Sequence, residues 1–231
     1  MGETVEFPSN GNNASGYVAT PSGGSGPGVI VIQEWWGLVP QIKGACDDLA
    51  GEGFVALAPD LYHGEIAEHD EMDKAGHLMN SLPMDRAARD MGAAVDYLLG
   101  LDATTGGKVG VVGFCMGGML TLVLAAQQGD KIGAAVPWYG APVDPNAAPD
   151  WSNLTAPVLG HFAENDSFFA PGPVKDLEAT LRGMGKDVTF DIYPGTGHAF
   201  GNETNALGTF DADAKAKAWS RTVDFLRSKL G

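Results

Sequence analysis

The stretch that most constrains this chain is V-G-V-V-G-F-C-M-G-G, residues 109–118. Residues 109–112 read as the end of a buried strand. Gly113-Phe114-Cys115-Met116-Gly117 then fits the glycine–x–nucleophile–x–glycine turn, with cysteine in the nucleophile's place. Such a turn swings sharply from strand to helix and lifts its central side chain into the open. The backbone crowds itself there, so small flanking residues are needed, and glycine tolerates the strained dihedrals. The helix expected over residues 117–127 points its N-terminus at Cys115. The free N–H groups and partial positive charge of that end favour a thiolate and an oxyanion alike. A phosphate-binding loop would place lysine and serine or threonine after the last glycine, where Met119 and Leu120 stand. A dinucleotide loop would need a different glycine spacing, near the first strand of its unit.

Around this turn the chain alternates strand and helix. Residues 3–7 read as an edge strand, 8–15 as a polar turn and 16–20 as its hairpin partner. Residues 29–32 (V-I-V-I) are a strand buried on both faces, after a glycine- and serine-rich connector at 21–27. Helices are expected at 41–51, with Ile42, Ala45, Cys46 and Leu49 inward, and at 84–99, with Ala87, Met91, Ala94, Val95 and Leu98 inward. Residues 65–83 are acidic and weakly patterned, a candidate short helix over the site. Further strands fall at 54–58, 133–138, 157–163 and 188–193, with a proline- and Asp/Asn-rich loop at 143–154. Helices follow at 173–184 and 211–230, the last burying Trp219, Val223, Phe225 and Leu226. No composition break or internal repeat interrupts the pattern. It predicts one α/β domain over residues 1–231, with a mostly parallel, doubly wound sheet and no large cap domain.

Composition narrows the partners. The chain has 231 residues, enough for one large core, and a formal net charge of -15, which disfavours nucleic acid and anionic membranes. No apolar run approaches the roughly 18 to 20 residues that span a bilayer. The opening M-G-E-T-V-E-F has no secretory pattern, and Glu6 occupies the position where myristoylation wants serine or threonine. The two cysteines, Cys46 and Cys115, do not make a disulfide framework, so both are expected reduced in a cytoplasmic protein. No His or Cys pair has metal-ligand spacing, and no cofactor is expected.

A nucleophile needs a base, and the base an orienting group. In strand–turn–helix sites of this kind the order along the chain is nucleophile, acid, histidine, each past a strand's C-terminal end. Asp166 follows the strand ending near Ala163, with Glu164 its near competitor, and His198 follows the strand ending near Tyr193 in a glycine-rich loop. His198 is expected to take the thiol proton and Asp166 to hold the ring's tautomer. The N–H groups of Met116 and of Trp35, in the loop after residues 29–32, are the expected oxyanion donors. His63, His69, His77 and His161 are read as ordinary.

The motifs Q-E-W-W-G at Glu34, A-P-D-L-Y at Asp60, G-F-C-M-G-G at Cys115, W-Y-G at Tyr139, D-S-F-F at Asp166 and G-T-G-H-A-F at His198 together resemble the dienelactone hydrolase (carboxymethylenebutenolidase) family of the α/β-hydrolase superfamily. The resemblance runs from about residue 15 to residue 230, and cysteine at the turn combined with Q-E is its most specific part. It implies a Cys115–His198–Asp166 triad that hydrolyses an ester or enol lactone through an acyl-enzyme. It also implies a hydrogen bond from the resting thiol to Glu34, which would take part in activating that thiol. One departure stands out. The family's carboxylate-binding arginine four residues past the histidine is Asn202 here, and residues 65–85 contain no arginine, with Lys74 the only base there and Arg86 just beyond. A bidentate clamp is not replaced by asparagine. The expected substrate is therefore a neutral small ester or lactone, in a pocket shaped by Trp35, Trp36, Tyr139, Phe168 and Phe200. A thioesterase or general carboxylesterase is the alternative within enzymes, and a silent ligand-binding homologue or a redox sensor the alternative outside that activity. A monomer or small homo-oligomer is expected.

Overall fold

Central strands that are apolar on every residue must be covered on both faces, and the computed structural model, which describes residues 2–9, 11–146 and 148–231, covers them. A hairpin of β1 (Glu3–Ser9) and β2 (Asn12–Ala19) opens the chain, followed by β3 (Gly26–Ile32), α1 (Pro40–Gly51) and β4 (Val55–Pro59). Then come α2 (Met72–Ser81), α3 (Met84–Gly100), β5 (Thr104–Phe114), α4 (Met116–Gln128) and β6 (Ile132–Trp138). The chain closes through β7 (Val158–Asn165), α5 (Pro171–Gly183), β8 (Val188–Gly197) and α6 (Ala212–Leu230). The eight strands form one sheet in the order β1-β2-β4-β3-β5-β6-β7-β8. Pairing is parallel from β4 through β8, and β2 is antiparallel to both of its neighbours. Helices α1 and α3 both pack on β3 and β4.

Periodicity located the helices well. All five residues expected inward on α3 are buried. On α1, Ile42, Cys46 and Leu49 are buried and Ala45 is half-buried. On α6 the buried stripe is Ala218, Thr222, Val223 and Leu226, leaving Trp219 and Phe225 half-buried. The reason is polar: Thr222 receives a hydrogen bond from Trp138 Nε1 and pairs with His161 Nε2, which draws that side of the helix inward. The first hairpin is tighter than its composition predicts. Pro8, Ser9 and residues 12–15 belong to the strands, because Glu6↔Ser15 and Ser9↔Asn12 continue the pairing; Asn10 of the expected turn lies outside the described residues, as does Ala147 of the 143–154 loop.

The sheet order reverses between β3 and β5, the place where open parallel sheets form a crevice at their C-terminal ends. Ile32 pairs with Gly113 across that boundary, which puts Glu34 and Cys115 on neighbouring strand exits. A register shift between Ala163 and Asn165 brings Asn165 level with Gly197. The acid-bearing and histidine-bearing loops thus leave the sheet side by side.

Candidate active site

Cys115 stands between β5 and α4 with φ 55° and ψ −119°, the strained conformation expected of the turn. The flanking glycines are there for space. A Cβ on Gly113 would sit 2.1 Å from the Gly117 carbonyl oxygen, and one on Gly117 would sit 2.4 Å from that of Ile32. Cys115 N–H donates to the Trp138 carbonyl at 3.0 Å, docking the turn against the end of β6.

His198 Nε2 lies 3.1 Å from Cys115 Sγ, and His198 Nδ1 lies 2.8 Å from Asp166 Oδ2. Asp166 Oδ1 accepts from the N–H groups of Phe168 (2.8 Å) and Phe169 (2.9 Å). Burial opposes ionisation of Asp166, but His198 and those two N–H groups outweigh it and hold the carboxyl below its usual range. An ionised carboxylate only accepts, so Nδ1 carries the proton and the Nε2 lone pair faces the thiol. Glu164, the competing acid, accepts instead from Gly195 N–H. Phe168, Phe169 and Tyr139 surround the His198 ring, with centroids 4.8, 5.8 and 5.5 Å away.

Burial pushes the Cys115 thiol well above its ordinary pKa, and the Glu34 charge adds to that effect. The backbone N–H groups of Met116 and Trp35 act on the same sulfur in the opposite sense. Cys115 therefore rests as a neutral thiol, with two N–H groups directed to its side of the cavity.

Glu34 is fully buried. It makes no hydrogen bond to the resting thiol, contrary to what the resemblance implied. Its Oε2 accepts from Asn202 Nδ2 at 2.7 Å, and Oε1 completes no hydrogen bond. Asn202 is buried too, and its Oδ1 accepts from Thr204 N–H and Oγ1–H. Burial pushes Glu34 up to about 7, with Tyr139 and Asn202 opposing. The sign of the resulting stability effect follows. In the unfolded chain this carboxyl ionises near 4.5, so between there and about 7 the folded state binds more protons. Stability should fall as pH rises through that window and level off above it. The Glu34→Gln variant should lack that component, which is of the order of 3 kcal/mol. Urea unfolding of both proteins at pH 5 and pH 8 measures it, and an equal pH response in the two would contradict it.

A cavity of about 300 Å³ opens over Cys115, with Glu34, Trp35, Trp36, Phe168 and His198 among its lining residues. Tyr139 and Phe200, expected in its wall, lie behind it. Both are fully buried and pack on each other and on Trp138, because the sheet edge there is closed by the loop carrying His198. No lysine or arginine among the described residues lines the cavity. Arg86 turns away and donates to the Leu61 carbonyl at 3.2 Å.

Several contributors escaped sequence reasoning. Tyr62 O–H donates to the Trp35 carbonyl at 3.1 Å and touches Met116 Sδ at 3.7 Å, so one phenol braces both residues whose N–H groups face the sulfur. Asp60 holds that loop by accepting from Tyr62 and Gly64 N–H, and Gln33 Oε1 accepts from Leu61 N–H. The A-P-D-L-Y motif at the sheet edge was the available signal. Met79 and Met84 line the cavity from α2 and α3 and carried no such signal.

The whole chain matches known proteins in the same terms. The dienelactone hydrolase family model covers residues 14–230. The chain belongs to the dienelactone hydrolase family. It is 42% identical to "Protein usf" of Aquifex pyrophilus over the full length of both chains. It is 39% identical, again end to end, to an Aquifex aeolicus (strain VF5) protein provisionally named carboxymethylenebutenolidase. A solved structure provisionally named dienelactone hydrolase, from Klebsiella pneumoniae, superposes with a TM-score of 0.84 at 27% identity, covering 98% of each chain. As a member of this family the protein is a hydrolase acting on esters or lactones. Among the described residues no helix is long and apolar enough to cross a membrane, and no cluster of three or more metal-ligand side chains is present.

Proposed function

We propose that the protein hydrolyses uncharged esters or lactones through an acyl-enzyme on Cys115, with His198 as base and Asp166 as its orienting acid. The observation that carries this reading is the continuous line from Sγ through the imidazole to the Asp166 carboxylate, at 3.1 and 2.8 Å. His198 Nε2 takes the thiol proton as sulfur bonds to the carbonyl carbon, and the carbonyl oxygen becomes an oxyanion received by the N–H groups of Met116 and Trp35. The C–O bond to the leaving group then breaks, and His198 returns the proton to that oxygen. A water, deprotonated by the same nitrogen, attacks the thioester carbon. The C–S bond breaks, the acid departs and the thiol regains its proton.

Glu34 joins this scheme through charge. Its ionised form opposes a thiolate, so the thiol stays neutral until His198 takes its proton. A neutral thiol resists oxidation and stray alkylation. Neutral substrates are favoured because the cavity presents a carboxyl and no cation, and because a net charge of -15 repels anions at long range.

Acid quenching during turnover of p-nitrophenyl acetate, followed by peptide mass mapping, tests the proposal. The acetyl group should be found on the peptide carrying Cys115. Hydrolysis that proceeds with acetyl on another residue, or on none at single-turnover ratios, would falsify it.

A further inference from the structure

The mouth of the active-site cavity is unusually apolar for a surface this charged. Among the described residues four large hydrophobic side chains are exposed: Met79 at 36%, Met84 at 50%, Phe168 at 62% and Met184 at 48%. Three of these four, Met79, Met84 and Phe168, come from separate elements and line the same cavity. Met79 sits near the end of α2, Met84 at the start of α3, and Phe168 in the loop after β7. Exposed apolar groups scattered singly need no explanation, but convergence on one cavity marks a binding surface. Met116 and Met119 line its inner part, so half of the chain's eight methionines meet there. Methionine's unbranched, polarisable side chain adapts to ligands of different shape.

We infer that this methionine-lined mouth is a subsite for an unbranched hydrocarbon acyl chain that runs outward from the carbonyl held at Cys115. The inference rests on the hydrolase reading above. The inner cavity takes the ester group, and the exposed rim covers the part of the chain that does not fit within. A carboxylate on that chain would lose water against thioether and ring surface and find no cation there. The preferred substrates are thus uncharged esters with medium-length acyl chains, and turnover efficiency should rise with chain length until the rim is passed.

The test is a p-nitrophenyl ester series from acetate to decanoate, with the hexanoate paired against the mono-p-nitrophenyl ester of adipic acid. The mono-ester keeps six acyl carbons but ends in a carboxylate. Each added methylene should raise kcat/KM by about two- to fourfold up to the hexanoate, and the adipate ester should be at least tenfold poorer than the hexanoate. Met79→Ser and Met84→Ser together should lower the hexanoate-to-acetate ratio several-fold. Both side chains are on the surface, and the ratio is insensitive to how much protein is folded. A flat or falling length profile, an adipate ester as good as the hexanoate, or an unchanged ratio in the double variant overturns the subsite while leaving the hydrolase reading in place. Absence of acylated Cys115 with every ester in the series overturns the cysteine acyl-enzyme reading itself, and the subsite with it.

Discussion

Replacing Cys115 with alanine is expected to lower kcat for ester hydrolysis by about 10⁴-fold or more, to the level that binding and the backbone N–H groups alone sustain. Among the described residues the sulfur is the one thiol or hydroxyl paired with the His198 ring, so removing it removes the proposed covalent route. His198→Ala should cost nearly as much. The half-buried thiol is held neutral beside Glu34, and the imidazole is the group placed to take its proton. Because the two act as one unit, the double variant should be scarcely worse than either single one. Steady-state rates of the three variants, each shown folded by circular dichroism, measure this. Full activity in Cys115→Ala, or losses that multiply in the double variant, would mean that the two residues do not form one catalytic unit.

The second large effect concerns packing. Gly140→Ala should destabilise the protein by about 3 kcal/mol or more and lower Tm by roughly 6 to 12 °C in a chain of this size. A Cβ at Gly140 would lie 1.8 Å from the Cys115 carbonyl oxygen and 3.0 Å from the Met119 nitrogen, and both are backbone atoms that cannot swing aside. The displaced atoms belong to the turn that carries Cys115, so activity should fall together with stability. Gly44→Ala is the comparison: it lies within α1 and meets nothing within 4 Å, so alanine there should be neutral or stabilising by up to about 1 kcal/mol. Thermal unfolding of the two variants checks both signs. A Gly140→Ala protein that melts with the wild type would show that the exit of β6 and the Cys115 turn are not packed as tightly as described.

Much of the candidate site was legible in the amino-acid sequence. The turn at Cys115 is announced by its glycine spacing, although the space that Gly117 leaves is for the Ile32 carbonyl of a neighbouring strand. The order of Cys115, Asp166 and His198 along the chain followed from strand exits that hydrophobic runs marked clearly. Trp35 and Met116 were placed by the same logic. The pocket wall was harder. Tyr139 and Phe200 read as pocket aromatics because they adjoin strand ends, yet both are fully buried. Local position tells which end of the sheet a side chain occupies, but not whether another loop is laid over it.

What the amino-acid sequence determined by itself was therefore whatever depends on neighbours in the chain: the parallel α/β sheet, the strained cysteine turn, the histidine loop, and the absence of arginine where a carboxylate clamp would stand. Tertiary structure decided what depends on meetings between distant segments. Asn202 reaches Glu34 across 168 residues and donates to its Oε2. Tyr62 braces Trp35 and Met116 from β4's exit. The methionines of α2 and α3 converge on the cavity although nothing in their spacing points there. Burial pushes Glu34 up to about 7 and raises the thiol. Desolvation and long-range contact are properties of packed space, and no local period in a sequence encodes them.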